Sequence, residues 1–227
     1  MKVKIRQAKQ DDVPDLLRVD AEVWSGFPAN EEMFRSRIEV FPQGQIVAVV
    51  EDQVIGSVFT QRINYAEWEG RNFSWNEITD FGTIRTTHQP NGTDLYGIGL
   101  AVKKEFQGSN ISTRLMIRAA QLVLQKNIRA VYLGARMPEY FQYANISPED
   151  YIIKKQRGYS IDMGIRIYER EGFSIVRALP NYIEDPGSLN YGVLVIRENP
   201  FGKLSGKIIG KFISALGEKV LAKILNM

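Results

Sequence analysis

The stretch Tyr96-Gly97-Ile98-Gly99-Leu100-Ala101-Val102, with the turn Lys103-Lys104-Glu105-Phe106-Gln107-Gly108-Ser109-Asn110 and the segment Ile111 to Val123 behind it, decides how this chain reads. The first part is an apolar run of strand length, and the second is a short polar turn. The third sets Ile111, Leu115, Ala119, Leu122 and Val123 on one face of a helix. The first turn of a helix leaves its N–H groups without internal partners, and the helix dipole adds positive potential there. A pyrophosphate fits such a turn, and the small residues Gly108, Ser109 and Ser112 allow it close to the backbone. The same layout also serves as a plain strand–helix connection. The turn has neither the P-loop pattern nor the triple-glycine dinucleotide fingerprint.

Elements of an α/β domain extend in both directions. Val3, Ile5 and Ala8 alternate as a first strand, and Asp11 or Asp12 caps a helix with Val13, Leu16, Leu17, Val23 and Trp24 on its apolar face. A second helix runs from Glu31 to Val40, closed by Phe41-Pro42-Gln43-Gly44. Gln45–Val50 and Val54–Thr60 form a hairpin around Glu51-Asp52-Gln53. Residues 63–93 mix Trp68, Phe73, Trp75 and Phe81 with polar residues, too aromatic for a disordered linker, and read as an ordered insertion. Arg129 to Ala135 is a further buried strand. A second insertion, 136–159, carries the capped helix start Ser147-Pro148-Glu149-Asp150. Strands near Phe173–Leu179 and Tyr191–Ile196 close the domain.

Gln107-Gly108-Ser109-Asn110-Ile111-Ser112 resembles motif A of the GCN5-related N-acetyltransferases (GNAT), Q/R-x-x-G-x-G/A, with Asn110 standing at the middle glycine. Asparagine tolerates a left-handed backbone better than most residues. Ile167-Tyr168-Glu169-Arg170-Glu171-Gly172-Phe173 resembles the family's L-Y-E-K-x-G-F signature, and Ile161 stands where many relatives carry asparagine. Further stretches, among them Trp75-Asn76-Glu77-Ile78-Thr79-Asp80, His88-Gln89-Pro90-Asn91-Gly92 and Ala135-Arg136-Met137-Pro138-Glu139-Tyr140, are similar to the acetyltransferase-like domain found fused to nitrilase-type carbon–nitrogen hydrolases. The hydrolase has no counterpart in these 227 residues, which contain no cysteine for its nucleophile.

The resemblance implies a GNAT fold over residues 1–200, of class α/β. Its mixed, mostly antiparallel sheet is flanked by helices and splayed between the central strands. It implies acetyl-CoA as co-substrate and an amine or peptide as acceptor, acylated by direct attack; the alternative is a catalytically silent CoA-fold module. The backbone of Leu100, Ala101 and Val102 would pair with the pantetheine amides as a peptide adds to a sheet edge. The turn from Gln107 through Gly108, Ser109, Asn110, Ile111 and Ser112 to Thr113 would hold the pyrophosphate. The two insertions would wall the acceptor pocket. Tyr168 inherits the role of acid for the leaving thiolate, a phenol being a proton donor at neutral pH.

The base is open among Glu77, Asp80, His88 and a water. His88, the chain's one histidine, is a base candidate with Glu77 and Asp80 near it in sequence, or a hydrogen-bonding turn residue. No spacing suggests a metal site, and there is no serine nucleophile elbow. The absence of cysteine rules out disulfides and fits a reducing, cytoplasmic setting. The N-terminus reads as a strand and not as a signal peptide, and no run is long and apolar enough to span a membrane.

Residues 201–227 carry a basic amphipathic pattern. Leu204, Ile208, Phe212, Leu216, Val220 and Ile224 recur every four residues beside a lysine row. The tail holds five lysines and one acid, Glu218, so the chain's net charge of +3 resides there and no nucleic-acid-binding face is expected on the body. Three surfaces suit such a helix: its own domain, a second copy in a homodimer, or an anionic membrane that makes the protein peripheral.

Overall fold

Strand-forming and helix-forming segments alternate along the chain, and the computed structural model arranges them around one seven-stranded sheet of order β1-β2-β3-β4-β5-β9-β8. The structure describes residues 2–24, 26–202, 212, 213 and 215–225. The strands are β1 (Lys4–Gln7), β2 (Gln45–Val50), β3 (Gln53–Ile63), β4 (Asp94–Val102), β5 (Ala130–Arg136), β8 (Ser174–Leu179) and β9 (Gly192–Glu198). A separate hairpin pairs β6 (Lys155–Gln156) with β7 (Tyr159–Ser160). Helices are α1 (Val13–Val23), α2 (Glu31–Val40), α3 (Trp75–Thr79), α4 (Ile111–Gln125), α5 (Pro148–Ile152), α6 (Met163–Arg170) and α7 (Glu218–Leu225). All sheet pairings are antiparallel except β4 with β5.

The period-two pattern of β2 divides the core. Val47 and Val49 pack with Val13, Leu16, Phe34 and Ile38 of α1 and α2. Ile46, Ala48 and Val50 pack with Ile111 and Leu115 of α4 on the other face. The sheet is therefore covered on both sides, and its central strands read as nearly continuous apolar runs.

Local chemistry fixes the helix starts. The Asn30 side chain accepts from the Met33 N–H, Ser147 from Asp150, and Asp162 from Gly164 and Ile165. Asp12, expected as a cap of α1, makes no cap bond to it. Its carboxylate instead holds Arg6 through two bonds of 2.6 and 2.7 Å and the Lys9 N–H.

Insertion 63–93 is ordered around α3, with Ile63, Tyr65, Phe73 and Ile78 in one cluster with Tyr96 and Tyr132. Insertion 136–159 packs Met137, Tyr140, Tyr151 and Ile152 against Ile165 of α6. In the tail, Leu221 and Leu225 of α7 bury against Ile117 and Leu124 on the outer face of α4, and Glu218 pairs with Arg114 at 2.8 Å. The expected single tail helix is broken at residues 215–217, which form a turn ahead of α7 at Gly217; residues 203–211, 214, 226 and 227 of the expected helix lie outside the described residues. None of the described helices is long and apolar enough to cross a membrane.

Candidate active site

β4 and β5 pair only over Leu95–Gly97 with Val131–Leu133. Beyond Gly97 the strands separate: Gly134, Ala135 and Arg136 pair with β9, while Gly99 to Val102 pair with β3 alone. A bulge marks the parting point. Gly99 faces Phe59 and Gly97 faces Thr60, so Ile98 is the extra residue. The Trp75 indole N–H donates to the Ile98 carbonyl at 3.0 Å, and the Trp75 backbone N–H donates to the Tyr182 carbonyl at 2.7 Å. α3 and the 182 segment are thus tied to the bulge. The Tyr182 ring lies on Gly134, where a β-carbon would sit 2.1 Å from the ring, so only glycine fits there. Its hydroxyl meets that of Tyr96 at 2.7 Å.

The opening leads into a cavity of about 330 Å³ that runs from Met116, Ala119 and Ala120 of α4 to Trp24, Phe27 and Arg37 of the α1–α2 region. Leu100 and Ala101 line it; Val102 does not. Residues 107–113, expected to hold the pyrophosphate, do not line the cavity; in that turn no N–H of Gly108, Asn110, Ile111, Ser112 or Thr113 meets an acceptor among the described residues, and the first helical bond is Arg114 N–H to Asn110 O. The Asn110 side chain makes no cap bond. The left-handed position in this turn is Gly108, at φ +76°, and not Asn110, at φ −78°. A β-carbon on Gly108 would meet nothing within 4 Å. The Gln107 side chain donates to the Val102 carbonyl at 3.0 Å and so fastens the turn to the strand end.

Of the expected catalytic residues, the fold brings Tyr168 alone to the cavity. It stands on α6 with its ring edge against Phe173, centroids 5.6 Å apart. Burial pushes the phenol up to about 12. Glu77, Asp80 and His88 do not line the cavity. Glu77 caps α3, accepting from the Ser74 N–H at 2.7 Å and hydroxyl at 2.8 Å, which hold it below the usual carboxylate range. Asp80 ends α3 in a left-handed conformation and accepts from Thr83 Oγ1 at 2.7 Å, with the same effect on its acidity. His88 stacks on Phe41 at 4.5 Å, and its Nδ1 accepts from the Arg62 N–H at 3.1 Å. Burial, with Arg62 beside it, pushes the imidazole down to about 4, so the ring is neutral and serves the turn.

The walls also differ from expectation. Insertion 63–93 contributes Trp75 and Asn76, and insertion 136–159 only Arg136. The α1–α2 connection and residues 182–184 supply much of the rest. Arg136 is held by Asp185 at 2.8 and 2.9 Å and lies over the rings of Trp24 and Phe27, at 5.4 and 5.2 Å, closing the mouth.

Among the charged residues that line the cavity, the motif reading missed Glu184 and Arg197 and, on the helices, Asp20 of α1 and Arg37 of α2. Asp20 Oδ2 accepts from the Ala29 N–H at 2.5 Å, and burial raises its carboxyl above the usual range. Both residues sit in the apolar stripes of their helices, Asp20 between Leu16 and Val23, and Arg37 between Phe34 and Ile38. A charge in a buried stripe is the sequence signal that would have found them.

A sheet opened at one parallel pair, above a helix start rich in free N–H groups, defines a groove for an extended molecule with an anionic end. The chain belongs to the acetyltransferase (GNAT) family, whose sequence profile matches residues 11–142. It is similar to the uncharacterized N-acetyltransferase YkwB of Bacillus subtilis (strain 168), 32% identical over 205 residues, covering 88% of this chain and 90% of that protein. It is also similar to the probable hydrolase YhcX of the same organism, 30% identical over 197 residues; there the match covers 86% of this chain but only 38% of the hydrolase. Among solved structures, the loading GNATL domain of CurA from Lyngbya majuscula superposes with a TM-score of 0.78 at 24% identity, over 87% of this chain and 98% of that one. The GphF GNAT-like decarboxylase in complex with isobutyryl-CoA gives 0.72 at 24% identity, over 86% and 98%. These two likenesses concern the fold.

Proposed function

We propose that the protein is an acyl-CoA-dependent N-acyltransferase that moves an acetyl group from acetyl-CoA to an amine. The observation that carries this reading is the alignment of two unsatisfied backbone surfaces. The β5-facing edge of β4 is open beyond Gly97, and the α4 start beside it has N–H groups without acceptors. The first suits the pantetheine amides, through Leu100 and Ala101, and the second suits the diphosphate. The name of the relative YkwB and the isobutyryl-CoA bound to GphF are in keeping with it.

The chemistry needs no protein nucleophile. The amine nitrogen attacks the thioester carbon, the carbon–sulfur bond breaks, and the nitrogen gives up one proton as the amide forms, which balances protonation of the departing thiolate to the thiol. Tyr168 supplies the hydrogen bond or proton that the thiolate requires. Asp20, raised by burial, is the base for the ammonium proton; its acidity is shifted toward the operating pH, as a general base requires. Titration calorimetry with CoA, followed by thiol release from acetyl-CoA over an amine panel, tests the assignment. Micromolar CoA binding and amine-dependent release are expected. A chain that does not bind CoA is not this enzyme.

A further inference from the structure

Most buried charges of this molecule are matched. Asp94 holds Arg129 at 2.9 and 3.0 Å, Asp185 holds Arg136 as described, and Asp162 accepts from Tyr151, Glu139, Gly164 and Ile165. Arg37 departs from this pattern. It is 3% exposed, yet its Nη2 has no acceptor among the described residues. Its Nε donates to the Gly82 carbonyl at 2.6 Å, and its guanidinium carbon lies 5.5 Å from the rings of Phe34 and Phe59 and 5.8 Å from that of Trp75. Arg37, Phe59 and Trp75 all line the cavity, and Nη2 sits near Gly82, where a β-carbon would come within 2.7 Å of it. The nearby carboxylate, Asp20, raises the guanidinium's basicity without an ion pair between them, while burial lowers it to about 10. Asp20 spends Oδ2 on Ala29, and Oδ1 makes no hydrogen bond among the described residues.

An uncompensated buried charge costs several kcal/mol, and an unsatisfied buried polar group calls for an explanation; Gln45 Oε1 and Glu171 Oε2 also lack partners among the described residues, but neither residue lines the cavity. A buried water would complete Nη2 but would not balance its charge. A carboxylate would do both, through a charge-assisted bond to the guanidinium. Asp20 narrows the choice. An anion alone would be repelled by it, and an amine alone would be repelled by Arg37. A molecule carrying both groups satisfies both residues, whose own charges sum to zero. We propose that the acceptor is a zwitterion, an amine that also bears a carboxylate, with the carboxylate on Arg37 and the amine on Asp20. This rests on the acyltransferase reading and names its substrate class.

The test compares free amino acids, each beside the amine left when its carboxylate is removed, at saturating acetyl-CoA. Thiol release reports turnover. Quenching of Trp24 and Trp75, both in the cavity wall, reports binding to the CoA-loaded protein when turnover is slow. The carboxylated member of the favoured pair should lead by tenfold or more in kcat/KM or in affinity. Arg37→Met should reduce that ratio toward one by raising KM with kcat little changed. Because this substitution also removes the bond to Gly82, the wild-type ratio decides if the variant does not fold. Equal treatment of the members in both readouts overturns the proposal. So does a preference for plain amines with succinyl-CoA over acetyl-CoA, which would put the carboxylate on the acyl chain. Loss of CoA binding itself would instead sink the reading beneath it.

Discussion

Tyr168→Phe isolates one hydroxyl, and its effect can be bounded in advance. Burial pushes the phenol up to about 12, whereas an ordinary thiol titrates near ~8.5. Complete proton transfer to the leaving thiolate would then run uphill by roughly 3.5 pK units, or about 5 kcal/mol. That is too much for free transfer at this site, so the hydroxyl acts mainly as a hydrogen-bond donor to the developing negative sulfur. Such a bond to a charged acceptor contributes about 1.5–3 kcal/mol, which corresponds to roughly a 10- to 150-fold fall in turnover. The ring keeps its edge contact with Phe173, and burial alone accounts for the shift of the phenol, with no hydrogen-bond partner to lose. The melting temperature should therefore move by less than about 2 °C. CoA affinity measured by calorimetry should stay within about threefold, the diphosphate lying at the other end of the groove. Single-turnover thiol release at saturating acetyl-CoA is the decisive assay. Unchanged turnover removes Tyr168 from the chemistry. A loss beyond about a thousandfold would mean true general-acid transfer and would refute the mismatch reasoning.

Gly108→Val places a branched residue at φ +76° with no clash from the protein; about 1–2 kcal/mol of stability is expected to go, with CoA affinity falling about tenfold or more. Gly70→Val, at φ +72° and also in open space, is the control that should match the stability loss without the affinity loss in parallel melts and calorimetry. His88→Gln should leave turnover and its pH profile unaltered. Because the folded imidazole is held at about 4 against 6.5 unfolded, the wild type loses stability as pH falls from about 6.5 toward 4, and the glutamine variant should lose less in melts at pH 7.5 and 5. Leu221→Ala, at a position fully buried on α4, should cost about 2–5 kcal/mol of tail docking and expose the tail to limited proteolysis. A loss that depended on protein concentration would show the tail packing on a second copy instead.

The strand, turn and helix proposed to hold the diphosphate were legible because they depend on near neighbours. An apolar strand, a polar turn and an amphipathic helix are sequence patterns, and Gln107, Gly108 and the first turn of α4 follow each other in the chain. Strand edges moved by only a few residues; β3 extends through Ile63, past the expected end at Thr60. The acceptor end depends on distant segments. Arg37, Gly82, Trp75 and Asp20 meet only when α1, α2 and α3 have packed on the sheet. The sequence neighbourhood of His88, Glu77 and Asp80 suggested a source of the base; none of the three lines the cavity, and one polar atom of each is engaged in a cap or a turn. Short polar side chains bond readily to nearby backbone, and here that local demand took precedence.

The two ends of the groove therefore answer to different constraints. At the α4 start the groups proposed to face the diphosphate are main-chain N–H donors, for which only conformation matters. Asn110 can replace the family's middle glycine because its φ of −78° is open to any residue, while Gly108 carries the one left-handed turn. A sequence can drift there and keep the donors. At the inner end the facing groups are the side chains of Asp20 and Arg37, placed in stripes that would be more stable if apolar. Replacing a buried charge by a packed apolar residue commonly stabilises a fold. Retaining Arg37 buried without a carboxylate partner, when Asp94 and Asp185 are each paired with an arginine, sets a local loss of stability against the proposed recognition of a charged acceptor.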